Sequence, residues 1–373
     1  MKKKILELTL ERMTFGGEAI ASHQGKKVFI AWGVPGDRAK VEFIEEKRDY
    51  ARGRIVELLE KSPHRTEAPC PYFFKCGGCQ WQHVKYESQL AFKTEILKEA
   101  LQRTAKISEP FLKPAVAADS PLHYRSRIRL QVSRQGEVGF FKPQSKEVVP
   151  VERCLIAEEL LNAKISEAKE IAQKMLEKDR ANRYEIEIRR EGDRVVMEVD
   201  PVDEAPFVQV NEAQNEKLIR IVQDSLQLSG SEKILELFAG EGNFTFPVAA
   251  ACASVTAVES GEGSVLRAEK RIEKEHRKNI RFVQSTAYRY LENSEGPFDR
   301  VLLDPPRKGA IECLEGLAKL KIPRLVYVSC DPSTLARDVR MLQELGYCHE
   351  SSQVIDMFPQ TYHVESVTVM VRA

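Results

Sequence analysis

Short apolar runs alternate with amphipathic stretches from about residue 207 onward. The runs read KILELF, SVTAVE, IRFVQS, DRVLLD and RLVYVS, beginning at residues 233, 254, 280, 299 and 324. Alternating strand and helix signals favour a parallel sheet covered by helices on both faces. The pattern therefore predicts a doubly wound α/β domain over residues 207–373, with a further apolar strand near its C-terminal end.

The first 60 residues have a different pattern, in which short stretches with strand character are separated by turn residues. Turn signals fall at Gly16-Gly17, at Gly25 and at Pro35-Gly36. Several short strands between such turns are typical of a small all-β unit. We expect residues 1–60 to form a small β-barrel.

Residues 61–206 mix the two kinds of signal. The segment begins with KSPHRTEAP, which predicts a linker, and it also contains a group of cysteines. Two helices and two hairpins are predicted, the helices over 86–103 and 157–176 and the hairpins over 124–143 and 183–200. We expect a central α+β domain.

Composition indicates a soluble globular protein, because 42% of the residues are apolar and 30% are charged. No run reaches the roughly 18 apolar residues that a membrane-spanning helix needs. Acidic residues soon follow the basic N-terminal MKKK, unlike in a secretory signal. We therefore expect a cytoplasmic protein without a membrane partner. The net charge of +1 says little about nucleic-acid binding, since the placement of charge matters more.

Three of the eight cysteines fall within ten residues. In a cytosolic chain such clustering suggests a metal site rather than disulfides. Cys70, Cys76 and Cys79, joined by the distant Cys154, are suitable ligands for a tetrahedral zinc ion or for a [4Fe–4S] cluster. Ligand chemistry alone does not decide between zinc and the cluster. A third interpretation is that the thiols bind no metal.

A glycine turn opens the predicted α/β domain. In LFAGEGN, Gly240 and Gly242 permit a ligand to approach the backbone closely, whereas Thr245 replaces the third glycine of a dinucleotide fingerprint. Glu259 ends the next strand, where a carboxylate can accept hydrogen bonds from both ribose hydroxyls. Asp304 ends a later strand and precedes two prolines. This order favours S-adenosylmethionine (SAM) over NAD, and over a domain with incidental glycines.

Cys330 follows the apolar run RLVYVS, at the edge where open α/β sheets bind ligands. A thiolate is the best protein nucleophile near neutral pH. Beside a methyl donor it suits carbon 5 of a pyrimidine, because thiolate addition at C6 makes C5 nucleophilic. The C5 proton must then leave, and Glu365 is the predicted general base, with His363 as the alternative. Considered alone, Cys330 is more often a buried structural thiol.

LDPPRKG, YVSCDPSTLARD and HVES, in this order, resemble motifs of the RNA uracil-5-methyltransferase family. The resemblance covers essentially the whole chain and is greatest to the cluster-bearing branch that acts on 23S rRNA. It implies an N-terminal OB-like TRAM barrel over 1–60, a central α+β domain with the cysteine cluster over 61–206, and a Rossmann-like SAM domain over 207–373.

The same resemblance implies roles for individual positions. Cys330 corresponds to the nucleophile and Glu365 to the base, and the four clustered cysteines correspond to ligands of a [4Fe–4S] cluster. At one of the implied SAM contacts, Thr286, the family often has Asn or Asp. The implied SAM contacts are Gln209, Phe238, Asn243, Glu259, Thr286 and Asp304.

The predicted substrate is a uridine in RNA, which must be unstacked and turned into the cleft. Ribosomal RNA is favoured over position 54 of transfer RNA, and no obligate protein partner is evident. An amine N-methyltransferase is an alternative, because Asp-Pro-Pro resembles the motif of that class, although Arg307 stands where an aromatic residue usually follows. A non-catalytic RNA-binding protein is a third alternative.

Candidate RNA contacts lie in the first two predicted domains. Phe29 and Trp32 are candidates for base stacking, although either fits a core equally well. Segment 121–146, with six Lys or Arg and one acid, is the most one-sided in charge. A solvated strand face is the other interpretation of its basic residues. The candidate phosphate contacts there are Arg125, Arg127, Arg129, Arg134, Lys142 and Lys146.

Overall fold

The computed structural model describes residues 4–178, 184–200, 209–294 and 296–373. Within these ranges the chain forms three β-sheets.

The first sheet has six strands in the order β1-β5-β6-β4-β3-β2, and only the β4–β6 pair is parallel. The strands are β1 (Ile5–Thr9), β2 (Arg12–Met13), β3 (Ala19–His23), β4 (Lys26–Ala31), β5 (Arg38–Glu46) and β6 (Tyr50–Glu60). The predicted turn at Gly25 is confirmed, since Gln24 and Gly25 have φ of +49° and +80° between β3 and β4. Positive φ at both central residues matches a type I′ hairpin.

Helix α1 (Tyr86–Arg103) has the bounds that its periodicity predicts. Its buried face carries Gln89 and Lys93 in addition to Leu97 and Leu101, so two polar side chains lie on an apolar stripe. The helix is followed by β7 (Leu112–Val116).

The second sheet is antiparallel, with the order β10-β9-β8-β11-β12. Both predicted hairpins, β8–β9 and β11–β12, are confirmed within the described residues. The strands are β8 (Arg127–Val132), β9 (Val138–Phe141), β10 (Val148–Pro150), β11 (Tyr184–Glu191) and β12 (Arg194–Val199).

The helix predicted over 157–176 is wrong in extent, because the structure has α2 (Glu159–Asn162) and α3 (Ile165–Lys178) instead. The Asn162 side chain accepts a hydrogen bond from the Cys154 backbone amide at 2.8 Å and donates to the Cys154 carbonyl at 3.1 Å. These bonds tie the last residue of α2 to the backbone of Cys154.

The third sheet has eight strands in the order β15-β14-β13-β16-β17-β19-β18-β7. The strands of this sheet other than β7, and the helices between them, follow residue 208. In chain order they are α4 (Glu212–Leu226), β13 (Lys233–Leu237), α5 (Thr245–Ala249), β14 (Ser254–Glu259), α6 (Glu262–Glu275), β15 (Ile280–Gln284), α7 (Ala287–Glu292), β16 (Arg300–Leu303), α8 (Ile311–Lys319), β17 (Arg324–Ser329), α9 (Pro332–Glu344), β18 (Tyr347–Ile355) and β19 (Glu365–Arg372).

The predicted parallel arrangement is confirmed for β13 to β17, and β18 and β7 run in the same direction, but β19 is reversed. β19 runs antiparallel to both β17 and β18. The short connection over 356–364 contains no crossover helix, and strands joined directly in this way pair antiparallel. As a result, the start of β19 lies beside the end of β17.

The predicted boundary between residues 206 and 207 lies outside the described residues. Two elements of the predicted 61–206 unit pack against the third sheet and its helices. β7 pairs with β18 at the edge of the third sheet, and α1 packs against α9. One continuous apolar core contains Leu10, Leu97 and Tyr327, whereas Leu130 and Ile186 belong to a separate core under the second sheet.

Candidate active site

A cavity of about 1000 Å³ opens at the carboxyl ends of the parallel strands of the third sheet. This is the edge at which open α/β sheets bind ligands. All eight residues predicted to bind SAM or to act in catalysis line this cavity. They are Gln209, Phe238, Asn243, Glu259, Thr286, Asp304, Cys330 and Glu365.

The glycine turn after β13 lines the cavity and leaves no room for a side chain at Gly242. Gly242 has φ of +89°, and a Cβ atom there would lie 2.6 Å from the Phe246 ring. The Gly240 amide donates to Glu259 Oε2 at 2.9 Å, and the Gly261 amide donates to Glu259 Oε1 at 2.7 Å. Two backbone donors therefore fix the Glu259 carboxylate at the cavity wall.

Two of the predicted SAM contacts are held by neighbours. Asn243 exchanges a pair of hydrogen bonds with Asn215 of α4, at 2.9 and 3.0 Å. Thr286 caps α7, since its hydroxyl accepts from the Arg289 amide at 3.3 Å. Asn215 was not predicted, because its role depends on how α4 packs against the glycine turn.

The pairing of β17 with β19 positions the predicted catalytic pair. Ser329 is the register partner of Ser366, so continuing the antiparallel register by one position places Cys330 opposite Glu365. Cys330 is half-buried and Glu365 is 9% exposed. Asp331 then caps α9 by accepting from the Ser333 and Thr334 amides, at 2.9 and 3.2 Å. The strand therefore ends at the thiol, which faces the cavity.

Three acidic groups share this buried region. Burial raises the pKa of Asp304 to about 7. Burial and the nearby Asp304 raise the pKa of Glu365 to about 8. Burial, followed by the charge of Glu365, raises the pKa of Cys330 to about 11, while the Arg307 guanidinium opposes the shift. A cation bound here would stabilise the charged forms of all three groups, and the sulfonium of SAM is such a cation.

His363 also lines the cavity, where its ring packs against Phe358 and Tyr362 at centroid distances of 5.5 and 4.6 Å. Burial, with the charge of Arg307 second, lowers the pKa of His363 to about 4. A carboxylate with a pKa near neutrality is the stronger base of the two. The site therefore favours Glu365 over His363.

The connection between β18 and β19 is anchored by buried polar contacts that the sequence did not predict. The Gln360 carbonyl accepts from the Gln80 and Trp81 amides, both at 3.0 Å. The Gln360 side-chain oxygen accepts from Gln89 Nε2 at 3.0 Å, and its backbone amide donates to Gln89 Oε1 at 2.9 Å.

A buried ion pair joins the same connection to α1. Lys93 Nζ lies 2.6 Å from Asp356 Oδ1 and donates to the Phe358 carbonyl at 3.0 Å. Both charged side chains are 0% exposed. The sequence contained one sign of these contacts, because Gln89 and Lys93 lie on the otherwise apolar stripe of α1.

The four predicted metal ligands line a second cavity of about 60 Å³. They are Cys70, Cys76, Cys79 and Cys154. Gly78 and Arg125 line both this cavity and the larger one. Across the described ranges, no three His, Cys, Asp or Glu side chains are grouped so as to hold a metal ion.

The predicted basic strip is less available to RNA than expected. Arg127 and Arg129 both form ion pairs with the buried Glu187, at 2.5 and 2.7 Å. Lys142 pairs with Glu147. Arg125 lines both cavities. Arg134 and Lys146 are exposed. The two stacking candidates, Phe29 and Trp32, are half-buried.

No helix in the described part of the chain combines the length and apolar character that crossing a membrane requires.

The chain is similar to known RNA methyltransferases. Residues 186–373 match the family model described as tRNA (Uracil-5-)-methyltransferase. An RNA methyltransferase of Bdellovibrio bacteriovorus is 36% identical, with 97% of this chain and 94% of that protein covered. The 23S rRNA (uracil(1939)-C(5))-methyltransferase RlmD of Haemophilus influenzae is 31% identical, with 96% and 94% covered.

A solved structure supports the fold over the full length. The tRNA (uracil-54, C5)-methyltransferase of Pyrococcus abyssi, in complex with S-adenosyl-L-homocysteine, matches with a TM-score of 0.75 at 22% identity. The match covers 98% of this chain and 100% of that one. The molecule is thus a SAM-dependent RNA methyltransferase. It belongs to the tRNA (uracil-5-)-methyltransferase family, whose members act on carbon 5 of uracil.

Proposed function

We propose that this chain methylates carbon 5 of a uridine in 23S rRNA through a covalent adduct with Cys330. The observation that carries the proposal is the β17–β19 register, which brings Cys330 and Glu365 together at the cavity that the glycine turn also lines. Relatives named as 23S rRNA enzymes align with nearly all of this chain. The substrate choice rests on those relatives.

The chain supplies the nucleophile and the base. The Cys330 thiolate forms a bond to C6 of uracil, and the electrons of the C5–C6 double bond move toward C5 and O4. After C5 has accepted the methyl group, the Glu365 carboxylate removes the C5 proton. The electrons of that C–H bond restore the C5–C6 double bond, and the Sγ–C6 bond breaks to return the thiolate.

The cavity supplies the binding of the methyl donor. Glu259, oriented by two backbone amides, suits the ribose hydroxyls, and Phe238, Thr286 and Gln209 line the wall around it. Bound SAM supplies an electrophilic methyl group on a positively charged sulfur. The buried carboxyls of Asp304 and Glu365 complement that charge.

We infer that the four cysteines hold a [4Fe–4S] cluster rather than zinc. The four thiols line one cavity of about 60 Å³, their chemistry suits either group, and the choice of the cluster rests on the resemblance to the cluster-bearing branch of the family. The role of the cluster is structural, since methyl transfer needs no electron. We also propose that the first sheet is the TRAM barrel and an RNA-binding unit, with domains over 1–60, 61–206 and 207–373.

Transfer RNA is the second candidate substrate, because the matching family model is described by that activity. An amine N-methyltransferase or a non-catalytic RNA-binding protein would leave Cys330 and Glu365 without a use. These readings differ in whether a covalent RNA adduct forms.

The test is mass spectrometry of the protein incubated with SAM and 5-fluorouridine-substituted 23S rRNA or tRNA. Fluorine at C5 cannot leave as a proton, so a methylated adduct should accumulate on Cys330. Cys330→Ala should form none, whereas Cys348→Ser, at an exposed cysteine that does not line the cavity, should react normally. An adduct with tRNA alone would change the substrate, and methylation of ordinary RNA without any adduct would refute the mechanism.

A further inference from the structure

Two aromatic side chains meet at the junction of the first sheet and residues 70–79, the segment that carries Cys70, Cys76 and Cys79. Trp32 follows β4, and Phe74 lies between Cys70 and Cys76. Their ring centroids are 5.5 Å apart in an edge-to-face arrangement. Phe74 is 51% exposed, which is high for a phenylalanine in contact with another ring.

Both residues have an uncommon backbone conformation. Trp32 has φ of +56° and Phe74 has φ of +69°. Bulky residues rarely adopt positive φ, and such conformations persist only where the surrounding structure enforces them. The chain therefore presents two aromatic rings at positions where glycine or asparagine would be less strained.

The backbone of Trp32 is fixed by a polar contact with Arg65. The Trp32 carbonyl accepts from Arg65 Nη2 at 2.8 Å. Arg65 in turn contacts both oxygens of Asp37, each at 2.7 Å, and Asp37 is fully buried. These contacts fix the backbone that presents Trp32.

The Phe74 ring packs against a buried side chain of the 70–79 segment. The ring of the buried Phe73 lies 4.5 Å from the ring of Phe74. Phe74 is thus supported on one side and open to solvent on the other. The exposed Lys75 follows it and supplies a positive charge for a phosphate group.

The pair lies within reach of the active-site cavity. Gly78, four residues after Phe74, lines that cavity. Four residues of fully extended chain span at most about 14 Å, so a nucleotide near the flipped uridine can reach Phe74. Aromatic rings that are rigidly presented to solvent bind unpaired bases by stacking in RNA-binding proteins.

We propose that Trp32 and Phe74 form a stacking site for one unpaired nucleobase of the substrate RNA, outside the pocket that receives the target uridine. This inference rests on the proposed function only in taking RNA that the enzyme methylates as the ligand. The proposed site gives the 70–79 segment a direct part in RNA binding, because that segment carries Phe74.

The test compares Phe74→Ala, Phe74→Leu and Phe74→Tyr in RNA affinity, measured by fluorescence anisotropy at one salt concentration. Stacking losses of this kind correspond to roughly 5- to 150-fold in Kd. Alanine and leucine should both weaken binding by such a factor, whereas tyrosine should bind as the wild type does. Phe111→Ala, at an aromatic residue that is 63% exposed elsewhere, is the matched control and should have no effect.

Two further readouts separate stacking from packing. The slope of log Kd against log salt should not change in Phe74→Ala, because no phosphate contact is lost. RNA should quench tryptophan fluorescence in the wild type but not in Trp32→Phe, since Trp81, the other of the two tryptophans, is fully buried.

Wild-type affinity in Phe74→Leu, or quenching that persists in Trp32→Phe, would overturn the stacking site. If Phe74→Ala lowers both the melting temperature and the RNA affinity, and Phe74→Leu lowers neither, then the ring serves packing rather than stacking. If the wild type methylates tRNA instead of 23S rRNA, the substrate assignment fails alone, and the stacking site is judged on the tRNA.

Discussion

The buried ion pair between Lys93 and Asp356 supports a specific prediction about stability and catalysis. Replacing Lys93 by Met removes one charge and leaves Asp356 in a position that is 0% exposed. Asp356 Oδ2 has no hydrogen-bond partner even with Lys93 present. The Phe358 carbonyl also loses its donor. The carboxylate that remains would therefore be buried without the charge of Lys93, beside the Tyr86 hydroxyl.

Removing one partner of a buried pair costs about 3–5 kcal/mol of unfolding free energy. We expect Lys93→Met to lose that amount in the unit that contains α1 and the third sheet. The same change should loosen the connection that leads into Glu365. Because a displacement of about 1 Å at reacting groups can cost ~10²-fold in rate, kcat should fall by that order while the KM for SAM changes little.

The assay is urea unfolding, followed by circular dichroism, together with steady-state methylation. Lys98→Met, on the same helix but not in the buried pair, is the control and should stay close to the wild type. Lys93→Met/Asp356→Asn should recover much of the lost stability, since it removes the uncompensated charge.

A loss below about 1 kcal/mol in Lys93→Met would show that the charge of Asp356 is relieved by another route. Equal destabilisation in the single and double variants would show that packing, rather than charge, carries the effect. Either outcome would refute the reasoning from the buried pair.

Three other predictions concern the two cavities. SAM binding near pH 7.5 should release protons, because its sulfonium favours the charged forms of Asp304 and Glu365, whose pKa values are about 7 and 8. Calorimetry in two buffers checks this, and S-adenosyl-L-homocysteine, whose sulfur carries no charge, should release fewer protons. Glu259→Ala should weaken SAM binding by about 10-fold or more by calorimetry, with RNA affinity unchanged. Cys79→Ser should lower soluble yield, iron content and RNA binding together, and normal RNA binding without iron would contradict it.

The residues at the ends of the parallel strands could be predicted from the sequence. Glu259, Asp304 and Cys330 each follow a short apolar run, and parallel strands end at one edge, so their convergence needed no knowledge of side-chain packing. The same reasoning predicted the bounds of α1, whose stripe has clear helical spacing. Local periodicity was sufficient to predict those features that depend on residues close together in the sequence.

The remaining features depend on contacts between distant segments. Glu365 was predicted from the need for a general base in the same cleft, and the resemblance implies the same role. Its position opposite Cys330 follows from the antiparallel direction of β19, which periodicity alone does not give. Asp356 and Gln360, which contact Lys93 and Gln89, lie more than 200 positions later in the chain. The ion pairs of Arg127 and Arg129 with Glu187 likewise arise from strand pairing across the second sheet.

The position of β7 at the edge of the third sheet has a consequence for how the protein is made. Leu112 pairs with Ser352, 240 positions later. During synthesis, α1 and β7 leave the ribosome long before the strand and the helix that they cover, so the catalytic sheet cannot be completed until almost the whole chain has been made. A gene fragment that begins at residue 207 would encode every catalytic residue proposed here, yet it would leave the edge of β18 and the apolar face beneath α1 open to aggregation.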